Sequence, residues 1–302
     1  MGLALKIRDN SWLFLRRAIK ELINHDDSKD DGLTKETAIF GTTFIQISFE
    51  LALVAYYLEK EGIQGIVKGP DLALTTEELV SKFERNELNT KSFNVLKNKA
   101  ISENIFLNET DADLISEFQR VRNKLVHLNY EFCDGDLYDL KYDLTYFIVK
   151  IIMPILSDNY QNPSEVISTY LNKSDFFKLI SFPPYAGEMY RVAKEFSDNV
   201  YDCVHCGNKS LAVDIKNEQC YSCGALYLGL GFIDCPYCNS NNSMIYDALN
   251  IKGQPDLTIK GLCLECKEDD IVYLCKKCWR SVALEGYVGL EKCHPEYCGW
   301  DD

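Results

Sequence analysis

The chain has 302 residues, 46% of them hydrophobic and 26% charged, with a formal net charge of −14. That length predicts two domains with enough apolar mass for a sizeable core, and the composition excludes a disordered polymer. The acidic balance excludes whole-surface attraction to nucleic acid, so any contact with RNA has to be local.

The amino terminus, Met1 to Lys6, lacks the long apolar stretch of an export signal, and no run of 18 or more apolar residues occurs. A cytoplasmic location without a membrane partner is therefore expected. Ser11 is placed to cap a helix over residues 12 to 23, rich in aromatics on its first turn, which should lie on the helical domain as an arm. An exposed acidic loop follows to Gly32. A long apolar-periodic helix is expected from about 35 to 60, stopped by Gly62 and Gly65, with Glu50 among its apolar residues. Thr75 and Glu78 have the spacing of a capping box, and further short helices are expected over 76 to 83 and 91 to 102.

A motif helix should open at about 110, with acidic residues in the first turn, and end near 132 to 135. Leu114, Phe118, Val121, Leu125 and Leu128 form an apolar stripe on it, which puts Gln119, Asn123 and His127 on the opposite face with Arg122 on its shoulder. Guanidinium pairs with phosphate, and imidazole exchanges protons near neutral pH, so this face has the groups that phosphodiester chemistry needs. On an ideal helix residues five apart diverge by about 140°, so Arg122 and His127 do not point the same way without local irregularity or a paired site.

Arg122-Asn123-Lys124-Leu125-Val126-His127 resembles the signature of the HEPN superfamily, an Arg and a His separated by four to six residues with a polar residue after the Arg. The stretch from Phe44 to Leu53 is similar to the early helix of that family, so the resemblance loosely covers residues 35 to 157. It implies an all-α bundle and a homodimer whose motif helices meet across a cleft, acting as a metal-independent ribonuclease. By the same resemblance Arg122, Asn123 and His127 would be catalytic, and Glu50 is either a surface residue or a partner that orients Arg122. A toxin or anti-phage defence effector is the setting it implies, and a non-catalytic dimeric binding or adaptor protein is the alternative.

The next helix is expected over 136 to 156, with Pro154 bending its last turn. Pro163 starts another, Ser174 can cap a short one, and Pro183-Pro184 should break the chain before a last helix over 188 to 196. The α-helical domain, with its arm and connector, therefore spans 1–198. From 199 to 302 the composition turns to Cys, Gly and Tyr in short β-like runs.

Of the 13 cysteines, Cys133 stands alone in the helical half and the other twelve fall in close pairs beyond residue 202. Cys203/Cys206 with Cys220/Cys223, Cys235/Cys238 with Cys263/Cys266, and Cys275/Cys278 with Cys293/Cys298 make three sets at zinc-ribbon spacing. Sequential pairing gives ribbons at about 200–228, 232–270 and 272–302, and a cross-braced arrangement of the last two sets remains open. Each closed four-thiolate set would hold a structural zinc, with no position left for a catalytic water. From Cys203 onward there are nine Lys and Arg against 14 Asp and Glu. A protein partner therefore suits the ribbons at least as well as RNA, apart from the local cluster Lys276, Lys277, Trp279 and Arg280. The fold class expected is α plus small β, an all-α bundle followed by a ribbon array.

Overall fold

The computed structural model describes residues 2–24, 33–103, 109–127, 134–157, 163–213, 218–276 and 278–283. The chain divides into two compact units, Met1–Tyr185 and Ala186–Asp302. The first is helical: α1 (Leu3–Ile23), α2 (Lys35–Glu61), α3 (Thr76–Glu84), α4 (Phe93–Ser102), α5 (Glu109–His127), α6 (Asp134–Phe147), α7 (Met153–Leu156), α8 (Pro163–Tyr170) and α9 (Lys173–Ile180). A further helix, α10 (Pro183–Phe196), carries the chain into the second unit.

Helix α2 is the axis of the helical unit. Its 27 residues are long and apolar enough to cross a bilayer, but Ile45, Phe49, Ala52, Leu53 and Tyr57 are buried against neighbouring helices, as in the core helix of a globular domain. Thr34 caps it by accepting from the Thr37 N–H at 3.1 Å, and Gly62, at φ 71°, ends it in the left-handed region where glycine meets no Cβ penalty. Helix α1 runs antiparallel along it, as the pairs Arg8–Glu59, Ser11–Ser48 and Leu22–Gly41 show.

The expected arm is therefore half of a core hairpin, beginning well ahead of Ser11. That serine does not cap; it is buried mid-helix and donates to the Ser48 carbonyl at 2.7 Å, a partner that local capping propensity does not report. Four aromatic rings then join the helices. Phe49 of α2 meets Phe93 of α4 and Phe147 of α6 edge-on, each at 5.4 Å, and Phe118 of α5 stacks on Phe147 at 4.2 Å.

Between α2 and α4 the chain is pinned by buried Asp71. Its carboxylate accepts from Lys82 Nζ at 2.6 Å and from the Asn89 N–H and Nδ2 at 2.8 and 3.0 Å. The Thr75/Glu78 capping box is present at the start of α3. After α6 the helix makes a π-helical turn over Ile148–Ile152, where Met153 N–H reaches back to the Ile148 carbonyl, and Pro154 follows in the first turn of α7. The wider turn absorbs the donor that proline lacks. Asn172, rather than Ser174, caps α9, accepting from the Asp175 N–H at 2.9 Å. Pro183 and Pro184 likewise do not break the chain ahead of a helix. They form the first turn of α10, where no intrahelical donor is required.

The second unit takes up α10 from Ala186, so the boundary lies earlier than residue 198. Phe196 stacks on Tyr221 at 5.1 Å and Ser197 donates to the Val213 carbonyl, which ties the end of α10 to the strands. The strands are β1 (Asn199–Asp202), β2 (Lys209–Val213), β3 (Gln219–Cys220), β4 (Leu230–Ile233), β5 (Met244–Asp247), β6 (Thr258–Cys263), β7 (Asp269–Leu274) and β8 (Ser281–Ala283). All pairs are antiparallel, in one sheet ordered β1-β2-β3 and a second ordered β4-β5-β6-β7-β8. The second and third expected ribbons are thus not separate modules, because β7 pairs with β6 on one side and β8 on the other.

Candidate metal centres and the Arg122 helix

Each CxxC pair among the described residues is built on the same backbone turn. The residue after the second cysteine has positive φ: Gly207 at 77°, Gly224 at 75°, Asn239 at 56°, Lys267 at 66° and Trp279 at 58°. Its N–H donates to the carbonyl of the first cysteine, at 2.8 Å for Gly207, 2.9 Å for Gly224, 3.0 Å for Asn239, 3.1 Å for Lys267 and 2.9 Å for Trp279. The first cysteine's own N–H closes the loop on the carbonyl five residues on, as from Cys203 to Asn208 and from Cys275 to Arg280. This fixes both cysteines of a pair on one side of the turn. Glycine takes the position without cost and asparagine nearly so, whereas lysine and tryptophan do not.

Pairs of these turns face each other. Cys203, Cys206, Cys220 and Cys223 bring their sulfurs within 4.8 Å of one another, and so do Cys235, Cys238, Cys263 and Cys266. The sets are sequential, which settles the second one against cross-bracing. Sulfur pairs such as Cys203–Cys223 and Cys238–Cys263 stand 3.7 Å apart, far too long for a disulfide. A tetrahedron with metal–sulfur bonds of about 2.3 Å has edges of about 3.8 Å, so either set could hold a metal ion. Hydroxyls complete each site: Tyr227 lies 3.1 Å and Ser210 3.2 Å from the sulfurs of Cys203 and Cys220, and Ser240 and Ser243 lie 3.3 and 3.4 Å from those of Cys238 and Cys263. They can donate to thiolates and fix their orientation.

The two sites are related in detail. Ser210 and Ser243 occupy matching places, each bonding the third cysteine through its hydroxyl while its carbonyl accepts from the next residue's N–H, Tyr221 at 2.9 Å or Leu264 at 2.7 Å. So dense a thiol cluster cannot ionise evenly. Hydrogen bonds from Cys206, Cys220 and Cys223 pull the Cys203 thiol far below its usual range, and the same network, led by Cys203, pushes Cys220 far above it. In the second site the Ser240 hydroxyl lowers Cys238 to about 6, while burial pushes Cys235 up to about 12. A bound cation removes this conflict by stabilising every thiolate at once.

For the third expected set, Cys275 is buried and Cys278 half-buried on the shared knuckle turn, whereas Cys293 and Cys298 lie outside the described residues. Cys133 lies outside them too. His205, beside the first site, contributes its backbone N–H to Cys203 Sγ at 3.4 Å, and its ring lies 5.6 Å from that of Tyr227.

On α5 the apolar row is rotated from the expected stripe. Ile115, Phe118 and Leu125 are buried, Leu114 and Val121 only partly so, and Leu128 lies outside the described residues. Arg122 falls in the same row as Ile115, Phe118 and Leu125 and is half-buried, its stem covered as an arginine's aliphatic carbons allow. Asn123 is exposed, and its Oδ1 accepts from Arg122 Nη1 at 3.0 Å. His127 is the last residue of the helix. Glu50 sits on α2 and accepts from Gln46 Nε2 at 2.8 Å, a bond within its own helix.

Nearby cations are engaged internally: Lys97 donates to Gln119 at 2.9 Å, Arg120 Nε to Glu117 at 2.7 Å, and Lys99 pairs with Glu61 and Glu103. Comparison with family models, with curated proteins and with solved structures gives no match for the chain.

Proposed function

We propose that the helical unit is a metal-independent endoribonuclease of HEPN type, and that the cysteine-rich unit is a set of zinc ribbons serving targeting or regulation. The observation that carries the first part is the Arg122–Asn123 hydrogen bond on α5, four residues before His127 on the same helix. It orients a guanidinium by an amide next to the position of an imidazole. In the reaction the 2′-oxygen bonds to the adjacent phosphorus as the bond to the 5′-oxygen breaks. His127 carries the proton between these oxygens, Arg122 stabilises the phosphorane charge, Asn123 holds Arg122, and Glu50 is the orienting carboxylate. The products are a 2′,3′-cyclic phosphate and a 5′-hydroxyl. Two copies related by a two-fold axis would pair their motif helices. A cytoplasmic toxin or anti-phage effector fits this chemistry.

Zinc is the ion of choice for four thiolates in a tetrahedron, and the Cys275–Cys278 knuckle, with Cys293 and Cys298, is the third such site. Closed sites supply folding energy rather than catalysis. A second reading, a dimeric binding or adaptor protein without catalysis, is favoured by the half-burial of Arg122 among apolar neighbours and by the internal partners of the surrounding cations.

Incubation of the purified chain with total RNA decides between them. Cleavage that persists in EDTA and falls by about two to four orders of magnitude in His127→Ala supports the enzyme. Wild-type protein that forms a dimer but leaves RNA intact supports the adaptor.

A further inference from the structure

The Cys275–Cys278 knuckle differs from the other four in what it displays. Its left-handed position holds Trp279, with 59% of the residue exposed, where Gly207 and Gly224 take the same conformation without steric conflict. Nothing in the turn requires an indole there, since the hydrogen bond that closes the knuckle uses only the Trp279 N–H. The β5–β6 connection folds alongside: Leu274 N–H donates to the Leu257 carbonyl at 2.9 Å, and Lys252 Nζ lies 5.9 Å from the centre of the Trp279 ring. Lys276 and Arg280 flank the ring in sequence, and both are exposed. Asp256, whose carboxyl is lowered first by Thr258 and also by Lys276, is the acid set against this group. In a chain of charge −14, an exposed indole among three cations is a local reversal of sign.

We propose that this knuckle is a stacking platform for single-stranded nucleic acid, with the Trp279 ring taking a base and Lys252, Lys276 and Arg280 taking the flanking phosphates. An aromatic face accepts any base, and cations at its margin follow the backbone, so the contact selects unpaired strands rather than a sequence. A duplex hides its base faces and is not a ligand for such a surface. The proposal deepens the ribonuclease reading by giving the cysteine-rich unit its own substrate contact, and it is tested apart from cleavage.

The test uses the zinc-loaded full chain carrying His127→Ala, so that bound RNA stays intact, and follows a labelled oligouridine by fluorescence anisotropy at low salt. Trp279→Gly should weaken binding about tenfold or more with no loss of melting temperature, because glycine suits the left-handed turn. Trp279→Phe should restore most of the affinity. Replacing Lys252 and Lys276 by Ala should lower the slope of log affinity against log salt by about one. DNA of the same length should bind within a few-fold of RNA, and a blunt duplex should bind far more weakly.

The proposal is overturned if Trp279→Gly binds as the parent does, if duplex competes equally, or if the parent binds no single strand, which would leave Trp279 to a protein contact. Cleavage by the parent chain, lost in His127→Ala, is scored separately. Binding without cleavage removes the enzyme and leaves the platform, and cleavage with unchanged Trp279→Gly binding does the reverse.

Discussion

The two units hold their shapes by different physics. In the helical unit Phe49, Leu53, Tyr57 and Phe147 are buried among long amphipathic helices, and hydrophobic burial needs no particular direction. The cysteine-rich unit has strands as short as the two residues of β3 and the three of β8, too small to stand alone. Its buried clusters have the thiols as members: Cys203 and Cys220 pack with Tyr201, Leu211, Val213 and Tyr227, and Cys235 and Cys263 with Met244, Ile251 and Val272. A core built by packing forgives swaps that keep volume, whereas a core built on four directed sulfurs forgives none of its ligands.

Metal removal should separate the units most sharply. Structural zinc contributes an apparent binding energy of about 10–16 kcal/mol near neutral pH, as much as the whole stability of a typical domain, about 5–15 kcal/mol. Exhaustive chelation should therefore open β1–β8 to hydrogen exchange while the helical circular dichroism is largely retained. Equal loss of protection in α2 would break the contrast.

A packing defect should act in the opposite unit. Phe147 is fully buried between Phe49 and Phe118, so Phe147→Ala should cost about 3–5 kcal/mol in the helical unit. Zinc content, measured on the purified variant, should not change. The same substitution should loosen α5, which rests on that ring through Phe118.

The smallest expected effect sharpens the comparison by adding pH. Lys82 first, then the Asn89 N–H, holds the Asp71 carboxyl below its usual range. A carboxyl depressed in the folded state adds stability above the unfolded value, about 4, and loses it as pH falls through the folded value. Asp71→Asn should lower the melting temperature of the helical unit by a few degrees at neutral pH and flatten its acid limb. Acid should also displace metal from the thiolates of the other unit, but that loss should be unchanged in Asp71→Asn.

Much of this division can be read from residue order, because the signals are local. The Thr75/Glu78 box and the paired cysteines at ribbon spacing are short-range patterns, and each appears in the fold where expected. What escaped depends on distant partners. Ser11 reads as a cap until Ser48 is known to lie across from it. The stripe on α5 was drawn through Leu114 and Val121 because arginine counts as polar, yet the buried row passes through Ile115 and Arg122. The glycines after Cys206 and Cys223 announce left-handed turns, but Asn239, Lys267 and Trp279 take the same conformation without announcing it.

Strand β7 has a further consequence. It leaves the Cys263–Cys266 knuckle and enters the Cys275–Cys278 knuckle after only six residues, a span of about 20 Å along an extended chain. Whatever orders one end of so short a rod restricts the other, and the second ordering then costs less conformational entropy than the first. Loading at the two knuckles should therefore be cooperative, with half-filled chains scarce in a titration, while the site around Cys203, on its own sheet, fills independently.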